Sequence, residues 1–459
     1  MNPIHWRWKA LSLNYSKLRT KLSFEVTDNL IFKERLLQWS QQFYETVWLD
    51  SNSHLDAFSS FDAILAVDAL TVLQTDARNA FENLKEYQLE TKDWIFGYLS
   101  YDLKNDVESL TSYNHDELQF PELFFFQPKK IIKINGNGVE FNYLNMVNDE
   151  IEEDFNAIKG YAQELKNVNE TTEDIRIKLR VFKDEYFRGA QEMLRHIHRG
   201  DIYEANFCQE FYAENTNIDP LLAYERLNAI SKAPFATFLR LNDKFLLSAS
   251  PERFLQKDGN RIISQPIKGT AKRSHDVEED NDLKNKLKED PKERTENIMI
   301  VDLVRNDLSK SALKGSVEVK ELCEVYSYEQ VHQMVSTITS VVPTDKNPVE
   351  IIKESFPMGS MTGAPKVSAM KIIEELEAFK RGLYSGAVGY FTPENDFDFN
   401  VVIRSILYNE TNKYVSYAVG SALTAKSSPD FEYEECLLKA RAMREVLEKS
   451  SDVHFKSKT

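Results

Sequence analysis

The chain runs to 459 residues, with 42% hydrophobic and 28% charged residues, a formal net charge of −16 and an isoelectric point of about 5.2. That length is about three times a common domain size and admits two lobes or one large fold. Twenty-eight Phe and twenty Tyr supply bulky apolar area for a large core, which argues against disorder, and the acidic balance argues against a nucleic-acid footprint.

Cys208, Cys323 and Cys436 lie far apart with no C-x-x-C pair, so neither a disulfide framework nor a zinc site is expected. The start MNPIHWRWKA has no apolar signal region, and no run reaches the roughly 20 apolar residues of a membrane span. A soluble, cytoplasmic protein is expected. An acidic chain that binds a small dianion must gather local cations in its pocket.

In chain order, strands are predicted at Ala63–Val67, Trp94–Tyr98, Leu123–Phe126 and Lys130–Ile134. Asn135-Gly136-Asn137-Gly138 reads as a hairpin turn. An acidic, helix-prone segment follows from Asp149, and the polar stretch Asn167–Thr172 suits a connector. These signs divide the chain into a first lobe, 1–170, and a second, 175–452. In the second, an amphipathic helix over Phe182–Arg199 precedes strands at Phe235–Leu241, Lys244–Ser248 and Arg261–Ile263. The charged stretch Lys272–Glu293 reads as an exposed loop or helix. Strands and helices do not alternate regularly, which predicts an α+β fold.

Chemistry concentrates in the second half. Gly359–Lys366 resembles a P-loop only superficially, because Lys-Ser/Thr does not follow its second glycine. Ser248–Phe254 sets Glu252 just after a predicted strand. Gln265–Thr270 sets Lys268 after another, beside Gly269; composition alone favours a snorkelling surface lysine over a buried amine. Glu293–Leu308 reads as a largely buried helix. In it Asp302 and Arg305 can pair at i, i+3, where a structural ion pair is favoured over a catalytic role, and Glu296 lies near the helix start. Phe431–Glu448 is a further helix, capped by Ser428 or Asp430, with Glu435 and Lys439 sharing a face as either a surface salt bridge or part of a site. The loop before the helix Val367–Phe379 is either an ordinary capped loop or a carboxylate-binding helix start carrying Lys366. Two glutamates are chemically sufficient for Mg²⁺, which keeps several waters and takes a ligand oxygen.

The ordered strings SASPERF, PIKGT, ENIMIVDLVRNDL, VSTI, FPMGSMTGAPK, YSGAVGY, VVIRS and EYEECLLKARAM resemble the chorismate-utilising enzymes, which include anthranilate, aminodeoxychorismate, isochorismate and salicylate synthases. The resemblance runs from about residue 180 to 450 in family order. The first lobe is similar more weakly, through Val47–Ser51 and Gly97–Asp102. The resemblance implies an α+β fold of two packed antiparallel sheets with helices outside and chorismate in a cleft between lobes. Lys268, where anthranilate synthases generally carry Ala, and Asn297, where sister enzymes favour His, resemble the aminodeoxychorismate branch. The water-activating lysine of isochorismate-forming members would fall at Glu204.

That branch implies Mg²⁺ held by Glu296 and Glu435, Lys268 as a covalent nucleophile and Glu252 as general acid. It further implies substrate binding by Thr270, Gly363, Tyr384, Arg404, Gly420, Ser421 and Lys439. The expected product is 4-amino-4-deoxychorismate, en route to 4-aminobenzoate and folate, with anthranilate synthesis as the alternative. No glutaminase region follows the last helix, so ammonia is expected from a separate glutamine amidotransferase subunit or from free ammonium, with no nucleic-acid or membrane partner. Three positions depart from the family pattern: Glu204 for Gln, Gln333 for His, and Ala422 in a glycine-rich strand. The missing His, associated in anthranilate-type members with expelling pyruvate, agrees with a reaction that stops at the aminated product. His332 next door is expected to point elsewhere.

Overall fold

The computed structural model describes residues 18–54, 58, 61–161, 175–274, 276–328 and 331–448. The first ten residues and the connector predicted at 167–172 lie outside the described residues. Among the described residues, 20 strands form one antiparallel network, which reads as two sheets sharing the long strands Ala63–Thr75 and Leu123–Asn135.

The first sheet runs outward from that pair through Glu45–Asp50, Phe235–Leu241, Lys244–Ser250, Ser405–Asn409, Tyr414–Thr424 and Glu204–Ala213. The second runs through Ile95–Leu99, Ala387–Phe391, Phe397–Val401, Arg253–Asp258, Arg261–Gln265 and Val331–Val341, the last flanked by Ile267–Lys272 and Glu318–Ser327. The α+β expectation and the pair of antiparallel sheets hold.

Local chemistry accounts for several boundaries. The strands expected at Leu123–Phe126 and Lys130–Ile134 are one continuous strand, because both faces of Leu123–Asn135 are covered and its run is almost entirely buried. It turns at Gly136, whose φ of 55° suits a residue without Cβ, and returns as Gly138–Leu144. The helix expected from Asp149 spans Ile151–Gly160. The helix Lys183–Arg199 ends at Gly200, with φ 89°.

The two sequence halves share sheets as well as cores. Val47 lies opposite Leu239, and Gly97 opposite Gly389. One apolar cluster joins Phe96 and Phe125 to Phe391 and Phe399, and a second joins Trp48 and Phe141 to Tyr186 and Tyr417.

The chain passes from one sheet to the other at two adjacent points. Pro251 has no N–H to continue the ladder of Lys244–Ser250, so Pro251-Glu252 carries the chain over to Arg253–Asp258. Val402–Arg404 makes the reverse passage, with Arg404 at φ 53°. Two backbone hydrogen bonds tie the passages together, from Val401 N–H to the Glu252 carbonyl (3.0 Å) and from Ala249 N–H to the Arg404 carbonyl (3.1 Å). The seam between the sheets therefore receives an acid and a guanidinium.

Candidate active site

A cavity of about 380 Å³ opens at this seam, and its wall includes Glu252, Lys268, Thr270, Glu296, Tyr384, Arg404, Gly420, Glu435 and Lys439. Nine residues singled out from sequence thus meet in one place. They come from the two sheet passages, the strand Ile267–Lys272, the strand Tyr414–Thr424, the loop before Ala387–Phe391, and two helices.

Glu252 is 5% exposed, and burial pushes its carboxyl up to about 7, against the pull of Ser360, Lys268 and Lys439. Such a group keeps its proton near neutrality and can donate it. Lys268 is largely buried rather than snorkelling. Burial lowers its pKa, but Glu204, Glu296, Glu435 and Glu252 together outweigh that, and the net shift is upward. Its ammonium lies 3.5 Å from Glu204 Oε1. Gly269 beside it has φ 87°, and a Cβ there would stand 2.9 Å from Glu293 Oε2. Both constraints suit glycine.

Two helix starts face each other across the cavity edge. Asp290 caps Pro291–Ser311 by accepting from Lys292 N–H (2.8 Å) and Glu293 N–H (3.0 Å), with Pro291 in the first turn. That fixes Glu293 and Glu296 one turn apart. Pro429 likewise begins Pro429–Leu447, which carries Glu432 and Glu435 at the same spacing. Lys292 bridges the two, 3.0 Å from Glu432 Oε1 and 3.7 Å from Glu296 Oε1.

Glu296 Oε1 and Glu432 Oε2 are buried without hydrogen-bond partners. Burial pushes Glu296 up to about 7. Burial also raises Glu435, but Lys439 (2.6 Å) and the other lysines outweigh it and lower the net value. Of the two unpartnered groups, only Glu296 lines the cavity, and its hard carboxylate oxygen, left without a hydrogen-bond partner among the described residues, suits a hard divalent cation. Among the described residues, no three His, Cys, Asp or Glu side chains converge tightly enough to hold a metal by themselves. An ion here would complete its shell with water or substrate oxygens.

The cavity also carries cations. The Arg404 guanidinium makes no ion pair or hydrogen bond with a described side chain; burial lowers its pKa, and Tyr384 and Glu435 oppose that. Lys439 donates to the Gly420 carbonyl at 2.8 Å, and Lys272 stands at the mouth. The local cations that an acidic protein needs are present.

Two predicted residues sit apart from this wall. Ser421 alternates with Gly420 along its strand, so its hydroxyl points to the other face, 3.3 Å from the Tyr186 hydroxyl. Gly363 pairs with Ala205, and a Cβ there would lie 2.1 Å from the Glu204 carbonyl oxygen. Its glycine serves strand contact. Gly420 also has a packing reason, since a Cβ would meet Cys208 Sγ at 2.6 Å.

Lys366 is committed to Asp307 (2.5 Å) and the carbonyls of Ser355 and Pro357, so its ammonium turns away from the cavity, while Ser360 and Met361 of the loop before it line the wall. Asp302 and Arg305 do pair, at 2.7 Å, but on the exposed face of their helix. Asn297 turns away from the cavity to accept from the Ser336 hydroxyl at 2.5 Å. Sequence reasoning passed over Glu293 and Glu432, although both lie three residues before a candidate glutamate. It also missed Asn206 and Ser360 on the wall. Gln333 faces the cavity with Oε1 unpartnered among the described residues, whereas His332 points away to Asp280 (3.0 Å).

A family profile described as "chorismate binding enzyme" matches residues 36–445. The chain is similar to the chloroplastic aminodeoxychorismate synthase of Arabidopsis thaliana, at 32% identity over 467 residues, covering 97% of this chain and 48% of that protein. It is similar also to aminodeoxychorismate synthase component 1 of Escherichia coli strain K12, at 41% identity over 265 residues, covering 58% of this chain and 57% of that protein. The chain therefore spans about half the length of these curated relatives. Its fold is similar to the crystal structure of anthranilate synthase component I from Streptococcus pneumoniae TIGR4, with a TM-score of 0.73 and 23% identity over 85% of this chain and 94% of that one.

Proposed function

The chain belongs to the chorismate-binding enzyme family, and on that premise we propose that it aminates chorismate at C4 to give 4-amino-4-deoxychorismate, as an aminodeoxychorismate synthase component I. The observation that carries the reading is a lysine amine and a carboxyl pushed up to about 7 on the wall of one cavity.

In this reading the Lys268 amine attacks C2 of the ring while Glu252 gives its proton to the departing C4 hydroxyl. Ammonia then attacks C4 and expels the lysine. Arg404, Tyr384 and Lys439 orient a substrate carboxylate, supported by the Arg404 guanidinium, which has no ion pair among the described residues. Glu296 and Glu435 are the residues that would hold Mg²⁺, which when bound neutralises carboxylate charge and orients the ring. Gln333 has a non-titrating amide and cannot remove a ring proton, so the enolpyruvyl group is retained.

Ammonia comes, on this reading, from a glutamine amidotransferase subunit, and the product feeds 4-aminobenzoate formation. Three unpaired, buried cysteines support a cytoplasmic setting. No described helix is long and apolar enough to cross a membrane.

Intact-protein mass spectrometry tests the covalent route. Incubation with chorismate and Mg²⁺, without ammonia, is expected to add the mass of chorismate less one water at Lys268. Continued amination by Lys268→Ala would sink that route.

A further inference from the structure

An amine held as ammonium cannot attack carbon, so the proton on Lys268 needs a destination. Four carboxylates raise the lysine: Glu204 from the first sheet, Glu252 from the seam, and Glu296 and Glu435 from the two helices. Glu252 must itself be protonated to act as an acid. Glu296 and Glu435 have other lysine partners, Lys292 and Lys439. Glu204 differs from all three. Among the described residues its carboxylate pairs with Lys268 alone, at 3.5 Å, and its side chain is 2% exposed.

The backbone holds that carboxylate in a fixed position. Glu204 opens the strand Glu204–Ala213 between two neighbours, lying opposite Ala364 on one side and Thr424 on the other. Flanking bonds from Tyr203 N–H to the Ala364 carbonyl and from Asn206 N–H to the Thr362 carbonyl, both 2.7 Å, clamp it further. Alternation puts Glu204 on the same strand face as Asn206, which lines the cavity. Burial raises the Glu204 carboxyl, and only Lys268 opposes this, so taking up a proton relieves the cost of a buried charge.

We propose that Glu204 is the positioning residue and proton acceptor of Lys268, taking one proton from its ammonium before attack and returning it when the amine is released. The proposal rests on the amination reading above. The protons balance. Transfer gives a neutral amine and a protonated Glu204. Attack at C2 forms the carbon–nitrogen bond as C4–O breaks, with the hydroxyl leaving as water on the Glu252 proton. The lysine is then a secondary ammonium. Attack of ammonia at C4 releases it as a neutral amine, which recovers its proton from Glu204, while the new C4 ammonium reprotonates Glu252.

The test compares the full chain with Glu204→Gln, using chorismate, Mg²⁺ and ammonium across pH 6.5–9.5. The expected loss in kcat near neutral pH is about 100-fold, in the range for a positioned proton acceptor, with little change in KM. The deficit should shrink as pH rises, because hydroxide then takes the lysine proton. Glu204→Asp keeps the charge but withdraws it, and should lose less, with the same pH trend; it carries the test alone if Glu204→Gln does not fold. A parent chain that aminates chorismate beside a variant with an unchanged kcat, or with a deficit equal at every pH, overturns the proposal while leaving the amination reading intact. A parent chain that does not aminate chorismate overturns both.

Discussion

At the scale of single residues, the site rests on burial working against charge. Glu252 has a folded value of about 7 against an ordinary 4.5. A raised carboxyl stabilises the fold fully below the unfolded value, and that contribution is lost as pH rises through about 7, a change of roughly 3 kcal/mol. Catalysis and stability therefore oppose each other at this residue. Glu252→Gln should melt at a higher temperature than the parent at pH 8.5, and by calorimetry the gap should close near pH 5. Its amination rate should fall by about 10²–10⁴-fold, as for loss of a general acid. A variant that melts lower at pH 8.5 would show that the carboxylate is stabilised there.

Glu296 follows the same sign by a different route. Burial holds it at about 7 in the free protein, so a cation must displace a proton below that pH. Mg²⁺ affinity, followed by titration calorimetry, should weaken steadily from pH 8 to pH 6. Glu296→Gln should remove both the affinity and its pH dependence. A pH-independent affinity would place the ion elsewhere.

At the scale of elements, the site is built from strand ends and helix starts, and only part of that was legible in the sequence. The strings around Glu252, Lys268, Glu296 and Glu435 revealed the cavity's chemistry because each is local: a strand end, a glycine, a capped helix turn. The Asn135–Gly138 hairpin was legible for the same reason. What the strings could not reveal was the double passage between sheets, since the bonds from Val401 to Glu252 and from Ala249 to Arg404 span about 150 residues. The Ser421 hydroxyl faces away from the cavity by a rule visible in the sequence, because neighbours on a strand face opposite ways. Glu293 and Glu432 carried a readable three-residue spacing. Gly269 offers a direct check at this scale. Its φ is 87°, and an added Cβ would stand 2.9 Å from Glu293 Oε2. Gly269→Ala should therefore cost about 1–2 kcal/mol of stability, read from the urea midpoint. It should also displace Lys268 and lower kcat.

At the scale of the whole molecule, the two sequence halves are interleaved. First-half strands lie beside second-half strands in both sheets, at Val47–Leu239 and Gly97–Gly389, and both apolar clusters draw on each half. The seam is thus braced from both sides, which lets an acid, an amine and a guanidinium stay close without collapsing the cavity. Such a molecule should unfold in one transition. Ligation at the seam should raise its melting temperature, by linkage between binding and folding.

Amination at C4 is tested most directly by mass-spectrometric identification of the product formed from chorismate, Mg²⁺ and ammonium at mildly alkaline pH. The expected product is 4-amino-4-deoxychorismate, which becomes 4-aminobenzoate only when an aminodeoxychorismate lyase is added, and which disappears in Lys268→Ala. Anthranilate as the product would contradict this reading.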